Sequence, residues 1–377
     1  GTDLNKVAAI LKKFEFTSLI KRLPKHMQQV DQPALFIDEP DVVKLKEIAW
    51  PKTLEINGPL VVHIQDGELW VSLNNETVTH KPISELDNSM WRALEFGTVI
   101  SYDVKKLYHD LAALDVKVHF GEIHDVRQAA FLVDPLRRDR SLAALLGGEV
   151  PEPADYVAGL WQVYKWQSDA FKHEPRIADI AHRFDFPLTY MLFRMEHKGI
   201  KIDKDLLAKM SVELGDEHKK LEQEMYTMVG YEFNIGSPAQ LSEVLFTKLQ
   251  LPTAGVKKGK TGYSTGQSEL DKLRGQHPII ELIEKTRELA KLKNTYVDTL
   301  PLDTDKHDRI HTTFNQDVAA TGRLSSQGPN LQNIPVRSDL GRRIREAFVP
   351  EGDKVFVSAD YSQFELRLAA VLADDKE

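Results

Sequence analysis

The residues best suited to carry out a reaction lie in the segment 354–367, which reads KVFVSADYSQFELR. Residues 354–359 alternate in the manner of a β-strand, and Asp360 stands at the carboxyl end of that strand. Strand ends in α/β sheets often face ligand crevices, so a carboxylate here is well placed to bind a divalent metal ion. On spacing alone, an aspartate that caps a helix or completes a turn is the alternative.

A second carboxylate, Glu365, lies near the start of a helix predicted over residues 362–373. Ser362 and Glu365 have the spacing of a capping box, in which the glutamate satisfies a backbone N–H at the helix start. A chemical role and a capping role therefore both remain open for Glu365.

Two groups of basic side chains could bind phosphate, although each is also compatible with an ordinary solvated surface. The net charge of −8 argues mildly against nucleic acid, because nucleic-acid-binding domains usually carry a basic excess. The loop 255–261, GVKKGKT, resembles a phosphate-binding P-loop, but three residues separate its glycines where four are required, and we exclude that motif. The basic residues are Lys257, Lys258 and Lys260 in one group and Arg337, Arg342, Arg343 and Arg345 in the other.

Two differently patterned parts of the chain must position these residues. Up to about residue 175, short apolar runs alternate with helical patterns, and Asp66-Gly67 between two such runs predicts a β-hairpin. From about residue 187 helical spacing dominates. The predicted fold class is α/β plus α+β in more than one domain. Predicted strands are 34–37, 61–64, 69–73, 310–314 and 354–359, and predicted helices are 4–23, 104–114, 125–132, 206–229, 240–249, 279–300 and 340–348.

The length of 377 residues favours two or three domains, since it exceeds what one compact core usually holds. Apolar residues make up 42% and charged residues 28%, which is typical of a soluble globular protein. The absence of cysteine excludes disulfides and thiolate metal sites. We find neither an apolar run of membrane-spanning length nor a secretory pattern, so a cytoplasmic location is favoured.

Beyond spacing, residues 360–367, DYSQFELR, closely resemble the first catalytic palm motif of family A DNA polymerases, the bacterial DNA polymerase I type. Phe364 departs from the family pattern, which has isoleucine there. Further matches run in order from about residue 187 to the last residue, and such a series is highly specific. They are 195–203 (MEHKGIKID) for the start of the palm, 233–238 (FNIGSP), 260–265 (KTGYST) and 291–296 (KLKNTY) for the thumb, and 321–326 (TGRLSS) and 329–337 (PNLQNIPVR) for the primer-and-template segment.

The resemblance implies a DNA-directed DNA polymerase, a nucleotidyltransferase that works by two-metal-ion catalysis. It implies an RNase H-like, exonuclease-type domain followed by a helical thumb and a partial palm. The expected domains are a connecting helix at 1–23, a degenerate 3′–5′ exonuclease-like domain at 24–175, the approach to the palm at 176–204, the thumb at 205–300 and the partial palm at 301–377.

The same resemblance assigns roles to individual residues. It implies that the Asp360 carboxylate and the Tyr361 backbone carbonyl bind Mg²⁺, with two ions in the complete polymerase. Glu365 is implied as the steric gate against a 2′-hydroxyl, and Phe364 beside it leaves sugar selectivity open. The implied catalytic residues are Asp360, Glu365 and Arg323; the DNA-binding residues are Arg287, Lys291, Asn294, Arg323, Asn330, Gln332, Asn333, Arg337, Lys257, Lys258 and Lys260; and the nucleotide-binding residues are Tyr361, Ser362, Gln363 and Glu365.

Residues 101–107 and 129–136 resemble parts of the family's exonuclease-like domain. An active version needs Asp-x-Glu on its first strand, but the best candidate strand offers His63 and Gln65 at those positions. The alternative, Asp38-Glu39, puts neighbouring carboxylates on opposite faces of a strand. Asp103 is the carboxylate that the second motif keeps, and no Tyr-x-x-x-Asp follows in the third. We therefore predict a domain without proofreading activity.

Residues 11–19 resemble the segment that closes the family's 5′-nuclease domain, so we expect the chain to begin after that nuclease. The fingers and the second palm carboxylate are expected beyond Glu377, either in a longer chain or in a second polypeptide. The chain alone is then expected to be inactive. Expected partners are primer–template DNA and deoxynucleoside triphosphates. A non-catalytic primer–template-binding module and a 3′–5′ exonuclease are the alternative functions.

Overall fold

The computed structural model describes residues 43–259 and 262–374. The expected helix at 1–23, the strand at 34–37, the Asp38-Glu39 pair and Lys260 lie outside the described residues. The chain divides into two compact units. The first takes the residues up to Met195 together with Asn315–Ser325, and the second takes Glu196–Phe314 and the residues from Ser326 onward.

A six-stranded mixed sheet in the order β1-β4-β3-β2-β5-β6 organises the first unit. The predicted hairpin is confirmed: β2 and β3 pair antiparallel across Asp66 and Gly67, which both have positive φ as a tight two-residue turn requires. Strands β2, β5 and β6 are parallel neighbours, so their carboxyl ends share one edge. The strands of this unit are β1 (Lys46–Glu47), β2 (Leu60–Gln65), β3 (Glu68–Ser72), β4 (Thr77–Pro82), β5 (Thr98–Ser101) and β6 (Glu122–Asp125).

Helices cover both faces of this sheet. Successive residues of a strand point to opposite faces, and Leu60 and Val61 of β2 accordingly belong to two different buried clusters. The predicted helices 104–114 and 125–132 are present with small shifts in their ends. The helices are α1 (Asn88–Ala93), α2 (Val104–Ala113), α3 (Val126–Val133), α4 (Leu142–Leu146), α5 (Pro153–His173) and α6 (Pro175–Ile180), which runs through a π-turn (Ala181–Asp185) into α7 (Phe186–Lys198).

The second unit is mainly helical and has one large apolar core. The long helix α8 begins at the Asp203 cap, whose carboxylate accepts the Leu206 N–H, and ends at the left-handed Gly230. Aspartate and glycine are residue types that commonly begin and end helices in this way. The helices are α8 (Lys204–Val229), α9 (Pro238–Ser242) with a π-turn (Glu243–Lys248), α10 (Gln267–Leu273), α11 (Ile279–Leu292) with a π-turn (Lys293–Val297), α12 (Asp339–Glu346) and α13 (Phe364–Leu372).

Short strand pairs complete this architecture. Strand β7 (Ile200–Lys201) pairs with β10 (Arg309–Ile310), and β8 (Lys258–Gly259) pairs with β9 (Gly262–Tyr263). The strand predicted over 310–314 is divided into β10 and β11 (Thr313–Asn315), and β11 pairs with β12 (Ser325–Gln327).

The strand predicted over 354–359 is wrong, because this segment is irregular and exposed in the structure. A strand needs a neighbour for its backbone hydrogen bonds, and within the described residues no strand pairs with this segment. The capping-box interpretation is also wrong. Helix α13 begins after a left-handed Gln363, and no side chain caps it.

Among the residues that the structure describes, no helix combines the length and the apolar composition that a membrane crossing requires.

Candidate functional site

Asp360 lies in the exposed segment that leads into α13. The Tyr361 ring lies 5.8 Å from the Phe364 ring, and Arg367 Nε donates to the Ser362 carbonyl at 3.1 Å. The turn and the helix thus gather the predicted nucleotide-binding residues 361–365 at one junction. Asp360 and the Tyr361 carbonyl offer only oxygen donors, which are the ligands that Mg²⁺ prefers. Over residues 43–259 and 262–374, no three acidic or histidine side chains converge as a metal site.

The loop after β12 is held by the side chains of its own polar residues. Gln332 Oε1 accepts the Ser326 N–H at 3.1 Å, and Asn330 Oδ1 accepts the Gln332 N–H at 3.0 Å. The Ser326 hydroxyl is buried and lies 2.7 Å from the Thr312 hydroxyl. Two of the predicted DNA-binding residues therefore also fix the shape of the loop that carries them, which the sequence pattern did not reveal.

The basic group after this loop is largely engaged within the protein. Arg345 donates to the Ile334 and Pro335 carbonyls at 2.8 and 3.3 Å, Arg343 pairs with Glu213, and Arg342 pairs with Asp339. The backbone carbonyl of Arg337 accepts a hydrogen bond from Arg342, while its side chain is exposed, as is Asn333. Three of the four arginines therefore contact other residues of the protein, which neither the phosphate-binding interpretation nor the solvated-surface interpretation had predicted.

The basic loop around Lys257 and Lys258, predicted to belong to the thumb, carries the strand pair β8 and β9. The Lys257 N–H donates to Oε2 of the buried Glu269 at 3.1 Å, and that carboxylate also receives Lys272 Nζ at 2.7 Å. Lys258 Nζ lies 5.4 Å from the Tyr263 ring centre. The backbone at Lys257 is therefore held by Glu269, while the Lys257 and Lys258 residues stay exposed.

Arg287 and Lys291 lie one turn apart on α11, as the i, i+4 spacing requires. The Arg287 guanidinium donates to the Thr265 carbonyl at 2.5 Å and to the Thr265 hydroxyl at 3.4 Å, and partial burial lowers its pKa. Lys291 and Asn294 are exposed. Arg287 thus holds the preceding loop, a contact 22 positions away that no local pattern predicts.

At the expected exonuclease-type site, His63 and Gln65 lie on one face of β2, as their spacing predicts. His63 Nε2 lies 3.2 Å from Gln65 Oε1, and the His63 ring stacks on Tyr156 at 4.3 Å. Burial lowers the pKa of His63, which favours its neutral form. This pair offers a neutral ring and an amide at the place where a metal site would need carboxylates.

The parallel strands β5 and β6 bring Asp103 and Asp125 to one edge of the sheet. Asp103 caps α2 through the Lys106 N–H at 2.9 Å and pairs with Arg127 at 3.1 Å. Asp125 is buried and accepts the N–H groups of Val104 and Gln128 at 2.7 and 2.8 Å. Burial, with the nearby Asp103 charge, raises the pKa of Asp125 to about 8. Sequence reasoning missed Asp125 and Arg127, although the ends of two neighbouring parallel strands were a signal for such a site.

The family profile described as DNA polymerase family A matches residues 204–377. DNA polymerase I of Synechocystis sp. is 50% identical over 53% of this chain and 20% of its own length. The thermostable DNA polymerase I of Thermus thermophilus is 45% identical over 66% of this chain and 30% of its own length. DNA polymerase I of Caldicellulosiruptor bescii is 35% identical over 97% of this chain and 44% of its own length.

Among solved structures, the chain resembles the POL domain of Pol1 from M. smegmatis in a complex with DNA primer-template and dNTP. The TM-score is 0.70 at 31% identity, over 84% of this chain and 59% of that one. The chain thus spans less than half the length of the three polymerases named above. The predicted mixed α/β class and the resemblance to the polymerases are confirmed, whereas the predicted domain limits and site residues stay predictions.

Proposed function

We propose that this chain is part of a family A DNA polymerase, whose family profile matches residues 204–377, and that it acts in template-directed DNA synthesis as part of a DNA-directed DNA polymerase. The observation that carries the proposal is the ordered series of motifs from residue 195 to residue 367. The alignment with DNA polymerase I of C. bescii extends over 97% of this chain. The bound primer–template and dNTP of the M. smegmatis neighbour support DNA and nucleotides as partners.

Within this function we propose that Asp360 and the Tyr361 carbonyl hold a catalytic divalent ion. Their all-oxygen donor set fits Mg²⁺, and the exposed position of Asp360 leaves room for an ion and for substrate. When bound, the metal would supply charge stabilisation for nucleotidyl transfer. Glu365 lies in the first turn of α13, and we propose that it contacts the sugar of the incoming nucleotide.

We propose that the loop after β12 contacts the minor-groove face of the primer–template. Its amide groups, from Asn330 and Gln332, suit the acceptors that every base pair presents there. The Arg323 guanidinium, which precedes β12, suits the same acceptors. The hydrogen bonds made by Gln332 and Asn330 support this role, because they preorganise the loop before DNA binds. The exposed Lys257, Lys258 and Lys291 are then suited to phosphate contacts, which carry no sequence information.

We also propose that the first unit up to residue 175 belongs to an RNase H-like, exonuclease-type domain without proofreading activity, followed by the approach to the palm at 176–204, the thumb at 205–300 and the partial palm at 301–377. Two observations support it: the neutral His63–Gln65 pair, and the engagement of Asp103 with Arg127. A carboxylate that already caps a helix and binds a guanidinium is a poor ligand for a metal ion.

Binding and extension assays on the 377-residue chain test the proposal. We expect labelled primer–template to bind with an affinity that falls as salt rises, and to bind more weakly in Arg323→Ala. We expect no extension by this chain alone, since the resemblance assigns a metal-binding carboxylate to Asp360 and to no second residue of the matched motifs. Failure to bind at low salt would contradict the proposed function. Extension that disappears in Asp360→Ala would support the polymerase function and refute the expected inactivity of the chain alone.

A further inference from the structure

The segment 315–325 contains Arg323. An ion pair joins this segment to the rest of the first unit. Arg127 Nε donates to Asp317 Oδ2 at 2.8 Å, and Arg127 Nη2 donates to Asp317 Oδ1 at 3.3 Å. This is the two-pronged arrangement that a guanidinium makes with a carboxylate and that a lysine cannot reproduce. The pair joins residues 190 positions apart in the chain.

Two further contacts hold the same segment. Arg140 Nη2 donates to the Asp317 carbonyl at 2.7 Å, and Gln316 Nε2 donates to the Asp185 carbonyl at 2.9 Å. The segment is grouped with the first unit, although the residues on either side of it belong to the second. The side chains of Gln316 and Asp317 and the backbone carbonyl of Asp317 are therefore held from α3, from the connection that follows α3 and from the π-turn before α7.

The position of Arg127 shows how this anchor is built. Its guanidinium also donates to Asp103 Oδ2 at 3.1 Å, so one cation lies between two carboxylates. The Asp317 side chain is 12% exposed and that of Arg127 is 38% exposed. Such partly buried, charge-assisted contacts hold their geometry better than an ion pair in open solvent does.

We propose that Arg127 is a positioning residue for primer–template binding: it holds the segment 315–325, and through that segment Arg323, in the conformation that meets the DNA. Arg323 follows Asp317 by six residues in the same loop. The proposal rests on the proposed role of Arg323. It gives the first unit a role in primer–template binding that requires no nuclease chemistry, because the anchor lies at the edge of the sheet where β5 and β6 end.

A different explanation of any Arg127 effect is a direct contact with a DNA phosphate, since the side chain is partly exposed. The two explanations differ in their coupling to Arg323. A residue that acts through Arg323 has little left to contribute once Arg323 is removed. A residue that binds phosphate contributes independently and lowers the salt dependence of binding by about one unit of slope.

The experiment is a double-mutant cycle on the 377-residue chain with Arg127→Gln and Arg323→Ala, read out as Kd for a labelled primer–template at several salt concentrations. We expect Arg127→Gln to weaken binding by roughly fivefold or more, the lower end of usual coupling between sites. We expect the same change in the Arg323→Ala background to have little further effect, with an unchanged salt slope. Asp317→Asn should reproduce Arg127→Gln, and the exposed Arg138→Gln serves as the matched control.

Hydrogen exchange without DNA provides the second measurement. Amides in 315–325 should exchange faster in Arg127→Gln, while the Trp fluorescence of the first unit shows that it remains folded. Unchanged exchange, or additive losses with a reduced salt slope, would overturn the proposal. If Arg323→Ala binds primer–template as tightly as the unmodified chain, the proposed function of Arg323 is wrong. If binding is weakened in Arg323→Ala but not in Arg127→Gln, the positioning role of Arg127 is wrong and the proposed function of Arg323 stands.

Discussion

The Glu196 carboxylate accepts the backbone N–H of Phe314 at 2.7 Å, although 118 positions separate the two residues. Glu196 is buried, and its own carbonyl lies 2.7 Å from His311 Nδ1. Arg309 donates to the carbonyls of Lys198 and Gly199 at 2.7 and 2.9 Å. Residues 196–199 are thus joined to residues 309–314.

This bond predicts a stability difference between two replacements of Glu196. Glu196→Ala removes the carboxylate acceptor of the part-buried Phe314 N–H, and the loss of such a charge-assisted bond costs about 1–3 kcal/mol. Glu196→Gln keeps an acceptor oxygen and should cost less. Hydrogen exchange at residues 309–314 measures both, since a lost bond releases those amides. Equal exchange in the two variants would contradict this role of the carboxylate.

Gly199 allows the close approach of the same two segments. Its φ is +63°, and a Cβ built there would lie 2.6 Å from the Ile310 carbonyl oxygen. Gly230 at the end of α8 also has positive φ, but nothing lies within 4 Å of its Cβ position. Gly199→Ala should therefore destabilise the second unit by about 2–5 kcal/mol, and Gly230→Ala by about 1–2 kcal/mol.

Hydrogen exchange in α8 and α11 is the suitable measurement for this pair, because all five tryptophans lie in the first unit. If Gly199→Ala lowers the stability of the second unit no more than Gly230→Ala does, the close contact with the Ile310 carbonyl relaxes without an energetic cost.

Local signals predicted much of this fold and little of its long-range contact network. The Asp66-Gly67 hairpin and the Asp203 cap were predictable, because turn and cap chemistry depend on a few adjacent residues. The strand at 354–359 failed because strand formation needs a partner that no pattern within six residues can supply. The Arg127–Asp317 and Glu196–Phe314 contacts join residues more than a hundred positions apart, so neither spacing nor motif indicated them.

Arg287 and Lys291 should respond differently to truncation. Lys291→Ala removes an exposed charge, and we expect the salt slope of primer–template binding to fall by about one. Arg287→Ala removes two hydrogen bonds to the buried Thr265, and we expect faster hydrogen exchange in 262–266 before any DNA is added. If Arg287→Ala leaves hydrogen exchange in 262–266 unchanged and reduces the salt slope as Lys291→Ala does, Arg287 binds phosphate directly.

The first unit should leave a labelled single-stranded 3′ end intact in the presence of Mg²⁺ or Mn²⁺. The physical reason is the pairing of Asp103 with Arg127 beside a neutral His63–Gln65 pair. Trimming is measured by denaturing gel electrophoresis over several hours, with Asp103→Ala run in parallel. Activity shared by both proteins indicates a contaminant. Activity that survives repurification and disappears in Asp103→Ala would refute the prediction.

A buried histidine gives the first unit a defined dependence on pH. Gln167 Nε2 donates to the Val126 carbonyl at 2.8 Å, which turns Gln167 Oε1 toward His124. His124 Nε2 lies 2.8 Å from that oxygen and must therefore donate its proton to it. Burial lowers the pKa of His124 to about 4, against 6.5 for an exposed histidine.

The sign of the effect follows from proton uptake. Between pH 6.5 and about 4 the unfolded chain binds a proton at His124 that the folded chain does not bind, so stability falls as pH falls through this window. Asp125 acts in the opposite direction. Its raised pKa of about 8 lets the folded state keep a proton that the unfolded state releases, so this contribution falls as pH rises from about 4 to 8.

The contributions of His124 and Asp125 to the pH dependence of stability oppose each other. The difference in stability between the unmodified chain and His124→Phe is therefore more informative than the pH profile of either protein alone. His124→Phe removes the titrating ring and the bond to Gln167, and the lost bond is a constant offset at every pH. Urea unfolding followed by Trp fluorescence should show the stability gap between the unmodified chain and His124→Phe narrowing by about 2–3 kcal/mol as pH falls from 7 toward 4. A gap that stays constant would mean that His124 is protonated in the folded state as readily as in the unfolded one.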